Sequence, residues 1–329
     1  MKRLTKIGIA AVLLLSFLVC SAIGYFFYWQ TSPNRLLEDE TVIIASGTGV
    51  SGIAGALAEQ KVIDNPLLFK AMVVIEGEQK ALKAGEYLFA AGSTPQEVMQ
   101  QLSKGEVVVH SITIVEGMKS AQILARINAA ELLEGEPIAT IEEGSVLPET
   151  YHYQRGETRA AVLARMQTAL QDAFEPLWET RQENLPFTTK REAIILASIV
   201  EKETGVDGER GLVASVFVNR LRKGMKLQSD PTVIHATELR TGKPMERQLF
   251  TGDLQRDHPY NTYTRVGLTP GPICNPGIEA IKAVLNPPSS DYFYFVATGN
   301  GGHRFARTLS EHNQNVADYR RVLRKSGKR

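Results

Sequence analysis

The 329-residue chain has only two cysteines, Cys20 and Cys274, too few for a disulfide framework or a cysteine-based zinc cluster. Its six histidines form no HExxH and no paired metal spacing, and the chain has no GxSxG elbow and no phosphate-binding P-loop. Metal-dependent, nucleophilic-serine and nucleotide chemistries therefore lack a sequence basis, and neither a cofactor nor a metal is expected. An excess of one charge sign is missing as well. There are 37 basic and 36 acidic residues, and Lys2, Arg3 and Lys6 stand ahead of the first apolar run, which leaves the remaining chain slightly acidic. Such a body has no general footprint for nucleic acid. Hydrophobic residues at 43% and charged residues at 22% are ordinary globular usage, in a length that suits about two domains.

What the sequence does have begins with one long apolar run. From Ile7 to Trp29, 23 residues pass without a charge, and as a helix they span roughly 34 Å, enough to cross a hydrocarbon core of about 30 Å. Cations lie before the run, whereas Arg35, Glu38, Asp39 and Glu40 follow it, so the charge bias places residues 1–6 in the cytoplasm and the body outside. Tyr25 to Trp29 would sit at the outer headgroup level. Two rival readings are a cleaved signal peptide, with Cys20-Ser21-Ala22 at the peptidase site, and a lipoprotein attached through Cys20. The run continues past the first site, and Val19 is bulky for the second; a single-pass anchor fits better.

After a polar linker at 30–40, the pattern of a strand, a glycine turn and an amphipathic helix occurs twice, offset by seventy residues. Val42, Ile44, Gly47, Ile53 and Leu57 align with Ile112, Ile114, Gly117, Ile123 and Ile127. A shared glycine at the strand-to-helix turn suggests positive φ or close backbone approach. Residues 47–52 also match GxGxxG literally, but the second copy keeps only the first glycine, so a dinucleotide site is not supported. The unit is similar to LysM glycan-binding repeats; the competing reading is an α+β spacer without a ligand. Residues 41–145 are assigned to this repeated region, with a strand at 83–89 and a helix from the capping box at Thr94-Pro-Gln-Glu97.

Residues 146–329 form the expected catalytic domain, making the whole an α+β chain whose C-terminal body is mixed α/β. Thr189 to Glu192 is a second capping box, and the apolar run Ala193–Val200 predicts a helix over about 190–204. On a helical wheel Glu203 lies roughly 40° from the mean apolar direction and Glu201 roughly 160° from it. A carboxyl on the core side of a helix end is desolvated, which raises its pKa toward what a general acid needs. The competing role for Glu203 is to cap a loop or to pair with Arg210 or Arg220. Polar loops at Leu227–Thr232, Tyr260–Tyr263 and Gly267–Pro272 offer amides, hydroxyls and rings that suit a sugar, and residues 291–308 read as a β-hairpin around Gly299–Gly302.

The ordered motifs Leu147–Tyr151, Ala197–Thr204, Val216–Leu221, Leu227–Val233, Tyr260–Tyr263, Tyr294–Ala297 and Gly302-His303 resemble the YceG-like endolytic murein transglycosylases. The resemblance implies an inner-membrane protein, its catalytic domain periplasmic, that cuts nascent peptidoglycan strands internally, with Glu203 essential. The first motif carries Glu149 where the family usually has Asp. Glu203 would protonate the oxygen leaving C1 of N-acetylmuramic acid, then accept the proton of that sugar's C6 hydroxyl as it attacks C1, leaving a 1,6-anhydro end. Gln228, Ser229, Asp230, Tyr260, Asn261, Tyr263, His303 and Glu149 are the candidate substrate-binding residues. Membrane-bound peptidoglycan polymerases are the expected neighbours. The alternatives are a lysozyme-type hydrolase, which would need a second carboxylate, and a non-catalytic anchored wall-binding scaffold.

Overall fold

A computed structural model describes residues 2–206, 208–299 and 301–325. The chain opens with helix α1 (Lys2–Gln30), whose apolar stretch lies bare along its length. Its last turn behaves differently: Trp29 and Gln30 are buried, and Trp29 joins the core of the unit that follows.

Two compact units follow from the contacts: residues 1–110, 132–134 and 152–157 in the first, and residues 111–131, 135–151 and 158–329 in the second. The first copy of the repeat thus belongs to unit 1 and most of the second copy to unit 2. In unit 1, β1 (Glu40–Ile44) leads to α2 (Val50–Glu59) and α3 (Pro66–Ile75), and β2 (Gly85–Phe89) returns antiparallel to β1. Alternation along β1 buries Val42 and Ile44, and α2 turns Ile53, Ala54 and Leu57 onto them at helical spacing. Helix α4 (Pro95–Lys104) starts at the expected Thr94–Glu97 capping box.

Residues 30–40, a polar linker by sequence, are threaded onto unit 1 rather than free. Asn34 accepts from Gly92 N–H at 2.8 Å, and Asp39 accepts from Ala91 N–H at 3.1 Å. Two of the polar side chains in this stretch thus serve as acceptors for backbone amides of residues 91 and 92. Of the GxGxxG glycines only Gly47 has positive φ, +80°, whereas Gly49 has φ −73° as the helix cap. Gly117 repeats the first at +74°, as a turn built for the same left-handed step would require.

The second copy comprises β3 (His110–Thr113) and α5 (Ser120–Asn128), and β3 pairs with β4 (Thr150–Tyr153). Unit 2 continues with α6 (Arg159–Glu179), α7 (Lys190–Glu203), α8 (Arg210–Arg222), α9 (Asp230–Thr241), the short α10 (Thr251–Gln255) and α11 (Ile278–Leu285). The hairpin β5 (Tyr294–Ala297) and β6 (His303–Ala306) forms as expected, and α12 (Leu309–Lys325) packs on it. Asn300 of the expected turn and residues 326–329 of the basic tail lie outside the described residues.

Helix α7 is the axis of unit 2. Every residue from Ala193 to Val200 is buried, with α8, α9 and α11 packed around it. That stretch is covered on all sides, so a wheel that separates a buried from a solvent face is too coarse here. Both Glu203 and Glu201 leave the solvent, in different directions.

Candidate active site

Glu203 ends α7, with Thr204 already extended as its cap. Two effects disfavour a negative charge there. Burial, the larger, raises the pKa of its carboxyl and the nearby Asp230 carboxylate adds to the rise; the Ser229 hydroxyl and the Arg220 guanidinium oppose it, and the balance is pushed up to about 7. The negative end of the α7 dipole works in the same direction as burial. Although the residue as a whole is half-buried, its carboxyl end is the enclosed part.

The partners come from the segment Gln228–Ser229–Asp230. Gln228 adopts φ +52°, a left-handed conformation rare outside glycine. Two contacts with the 260–264 loop hold that step: Gln228 N–H donates to Thr262 O at 3.2 Å and Ser229 N–H to Thr262 Oγ1 at 3.0 Å. Thr232 and Thr262 join their hydroxyls at 2.8 Å. Ser229 is fully buried, and its Oγ makes no hydrogen bond of ordinary geometry among the described residues, yet it lies close enough to Glu203 to lower that carboxyl's pKa. Asp230 stands in the first turn of α9, where the helix dipole favours a negative charge. Tyr263 Oη donates to Asp230 Oδ1 at 2.6 Å, and burial together with Asp230 drives the phenol well above its ordinary range.

Arg220 is the site residue that sequence reasoning placed only as a rival partner of Glu203. It is buried near the end of α8, its Nε donating to Phe293 O at 2.6 Å and its Nη1 to Leu227 O at 2.7 Å and more weakly to Gln228 Oε1 at 3.4 Å. The signal was present. Arg220 follows Val216 by four and Phe217 by three, the same core-side spacing that singled out Glu203. A fixed cation here supports the 226–228 loop and tempers the acid beside it.

The capping and ion-pairing role that competed for Glu203 is filled by Glu201. Its side chain accepts from Gly277 N–H, the cap residue of α11, at 3.0 Å and approaches Arg210 Nη2 at 3.7 Å. Burial raises the pKa of its carboxyl and Glu116 adds to this, while the Gly277 amide, Arg210 and Lys202 lower it.

The remaining candidates are engaged with partners other than Glu203. Asn261 is buried and spent on its own loop: its Nδ2 donates to Arg256 O at 2.7 Å and Leu254 O at 3.0 Å, and its Oδ1 accepts from Tyr263 N–H at 2.8 Å. It shapes the loop that presents Tyr263 instead of offering an amide to a sugar. Tyr260 packs its ring against His235, centroids 4.8 Å apart. His303 is tied to Glu209 through Nδ1 at 2.7 Å. Glu149 is exposed beside β4, and its carbonyl accepts from Ile114 N–H at 2.9 Å. Among the described residues no cluster of three or more metal-ligating side chains occurs.

The model of the YceG-like family matches residues 42–318. This chain belongs to the YceG-like family. It is 30% identical to the endolytic murein transglycosylase of Bacillus subtilis over 90% of each chain. It is 28% identical to the protein of the same name from Streptococcus pneumoniae, across 93% of this chain and 64% of that one. A crystal structure of a yceG-like protein from Listeria monocytogenes is 29% identical, covering 84% of this chain and 99% of that one with a TM-score of 0.49.

Proposed function

We propose that this protein is a membrane-anchored lytic enzyme that cuts murein glycan strands internally and without water, leaving 1,6-anhydro-N-acetylmuramic acid ends. The observation that carries the reading is the Glu203 carboxyl, held near pH 7 by burial at a helix terminus. An acid with that pKa can donate a proton to the departing glycosidic oxygen and, once ionised, take one back. In the second half-step the C6 hydroxyl of the same sugar loses its proton to Glu203 as its oxygen attacks C1, so the residue returns to its starting form. A single acid suffices because its two duties alternate. A hydrolase would need a second carboxylate to activate water or attack the sugar; Asp230 is the carboxylate near Glu203, and the ends of the products decide between the two. The names of the relatives from Bacillus subtilis and Streptococcus pneumoniae support the substrate and the lytic class.

In this reading Asp230 borders the reacting sugar, the buried Ser229 hydroxyl backs the Glu203 carboxyl, and Arg220 fixes the loop around them. Helix α1 is the anchor, with the body on the outer face of the cytoplasmic membrane beside the enzymes that polymerise glycan, and the two strand–turn–helix units are LysM-like. Mass spectrometry of products from purified glycan tests the chemistry. Ends lighter by one water than reducing muramic acid are expected, and reducing ends would instead make the protein a hydrolase.

A further inference from the structure

Where α1 meets unit 1 there is a cavity of about 330 Å³, lined among others by Trp29, Ser32, Arg35, Lys61, Val62 and Asp64. Its charges are two cations and one carboxylate, and the carboxylate is engaged: Trp29 Nε1 donates to Asp64 Oδ1 at 2.5 Å. That bond and the burial of Trp29 fix the cavity to the end of the helix. If the uncharged run ending at Trp29 fills the hydrocarbon core, the cavity lies in the headgroup layer, which adds roughly 5–8 Å on each face.

The second observation is at Lys61. Helix α2 closes with Val62 N–H donating to Leu57 O at 2.9 Å and Lys61 N–H to Ala58 O at 3.1 Å. This is the Schellman arrangement, and Lys61 holds its left-handed position at φ +61°. Glycine is the residue that this position favours. A lysine there costs on the order of 1 kcal/mol of backbone strain and brings a cation to the cavity rim, so packing alone does not account for the choice.

We propose that this cavity binds the phosphodiester of a phospholipid headgroup of net negative charge, with Arg35 and Lys61 facing the phosphate and Val62 and Trp29 facing the glycerol and upper acyl carbons. Two cations against one engaged carboxylate favour an anionic headgroup over a zwitterionic one. The proposal rests on the anchor reading of α1. The same phosphate chemistry could come from the free anion, so the two sources are separated by titration.

The full-length chain in neutral detergent, carrying Trp178→Phe so that Trp29 is the remaining tryptophan, is titrated with monomeric dihexanoyl phosphatidylglycerol, dihexanoyl phosphatidylcholine and inorganic phosphate, reading Trp29 emission. Saturation by phosphatidylglycerol at concentrations at least tenfold below either other ligand is expected. Lys61→Gly should weaken that binding at least tenfold while raising the melting temperature, a pairing that a purely structural lysine would not produce. Arg35→Gln should weaken it similarly. Equal responses to the two lipids, or unchanged affinity in Lys61→Gly, would overturn the proposal; equal saturation by inorganic phosphate would assign the cavity to a free anion and overturn the lipid. Extraction of cell membranes at alkaline pH tests the anchor separately, because the titration is made in detergent and does not depend on it.

Discussion

At Gly47 the chain leaves β1 and enters α2 through an open turn; a Cβ placed on Gly47 would meet no atom within 4 Å. Seventy residues later the same strand, left-handed glycine and helix recur at Gly117, and there the turn is a polar hub. Gly117 N–H donates to Asn275 O at 3.0 Å, and Asn275 N–H returns a bond to Met118 O at 2.9 Å. Glu116 reaches Arg210 at 3.2 Å, and Lys119 pairs with Glu238. Ser120 donates to Glu142 O at 3.0 Å and, with its own amide, to Glu143. One local fold has been used once as a closed packing unit and once as the bracket that steadies the C-terminal end of α7, where Glu201, Lys202 and Glu203 stand in succession. What differs is the polarity of positions 116, 119 and 120, not the backbone.

The strongest test of that division is at its far end. Glu203→Gln keeps the shape and removes the proton, and product formation from glycan should fall about 10²–10⁴-fold, the usual worth of a general acid. Glu201→Gln leaves the acid in place and loosens the α11 cap and the approach to Arg210, so its loss should stay within tenfold. Equal losses in the two variants would show that the acid cannot be assigned between them. Next in size is the hub itself. Asn275 Nδ2 donates to Met118 O, Ser120 Oγ and Glu143, and its Oδ1 accepts from Val146 N–H. Asn275→Ala strands several buried partners and should cost about 2–4 kcal/mol in denaturant unfolding. The first copy offers the contrast: Thr48→Ala, at the position matching Met118, should change stability by less than about 0.5 kcal/mol.

A third effect ties the acid to folding. Because the Glu203 pKa is about 7 in the folded chain against 4.5 for an ordinary glutamate, the folded form binds its proton more tightly than the unfolded form does. The cost of ionising Glu203 is absent below pH 4.5 and grows as pH rises toward 7. After allowance for partial exposure, stability should fall by roughly 2 kcal/mol across that window because of this residue. Melting curves at pH 5 and pH 8 should therefore differ less in Glu203→Gln than in the parent, and the variant should be the more stable at pH 8. Activity that depends on the protonated acid should decline above pH 7. A pH-independent difference between the two chains would remove the buried acid from the account.

The elements that the sequence disclosed are those specified by local pattern. The capping boxes at Thr94 and Thr189 begin α4 and α7 where expected, the seventy-residue offset returns as matched elements and matched φ, and the desolvation of the Glu203 carboxyl follows its spacing to Ile199 and Val200. The rest depends on partners distant in sequence. Nothing in the order of residues announces that Thr232 and Thr262 share a hydrogen bond, that Asn261 spends its amide on residues 254–256, or that Glu201 caps a helix beginning at Ile278. Glu201 and Glu203 differ by two positions on a helix that is covered all round. A single-helix wheel assigns one inward and one outward, but the neighbouring elements bury both and give each a different set of hydrogen bonds.

The finest discrimination between the two copies lies in their shared glycine. Alanine at a φ of +80° or +74° is strained whatever the space, so Gly47→Ala and Gly117→Ala should each lose about 1–2 kcal/mol of stability. Their surroundings then separate them. A Cβ at Gly117 would come within 3.4 Å of Lys202 Cδ and 3.6 Å of Glu201 Cγ, ordinary contacts that the side chains can absorb at a small cost. Lys202 also donates weakly to Gly117 O, at 3.5 Å, so a shift of the second turn is passed to the residue immediately before Glu203. Melting temperatures should fall by similar amounts in the two variants, whereas kcat should drop measurably, by about two- to fivefold, in Gly117→Ala alone, since small misplacements of a reacting group lower rate. An equal kcat loss in Gly47→Ala would mean that the first copy, too, is coupled to the acid, and the division between packing unit and bracket would have to be abandoned.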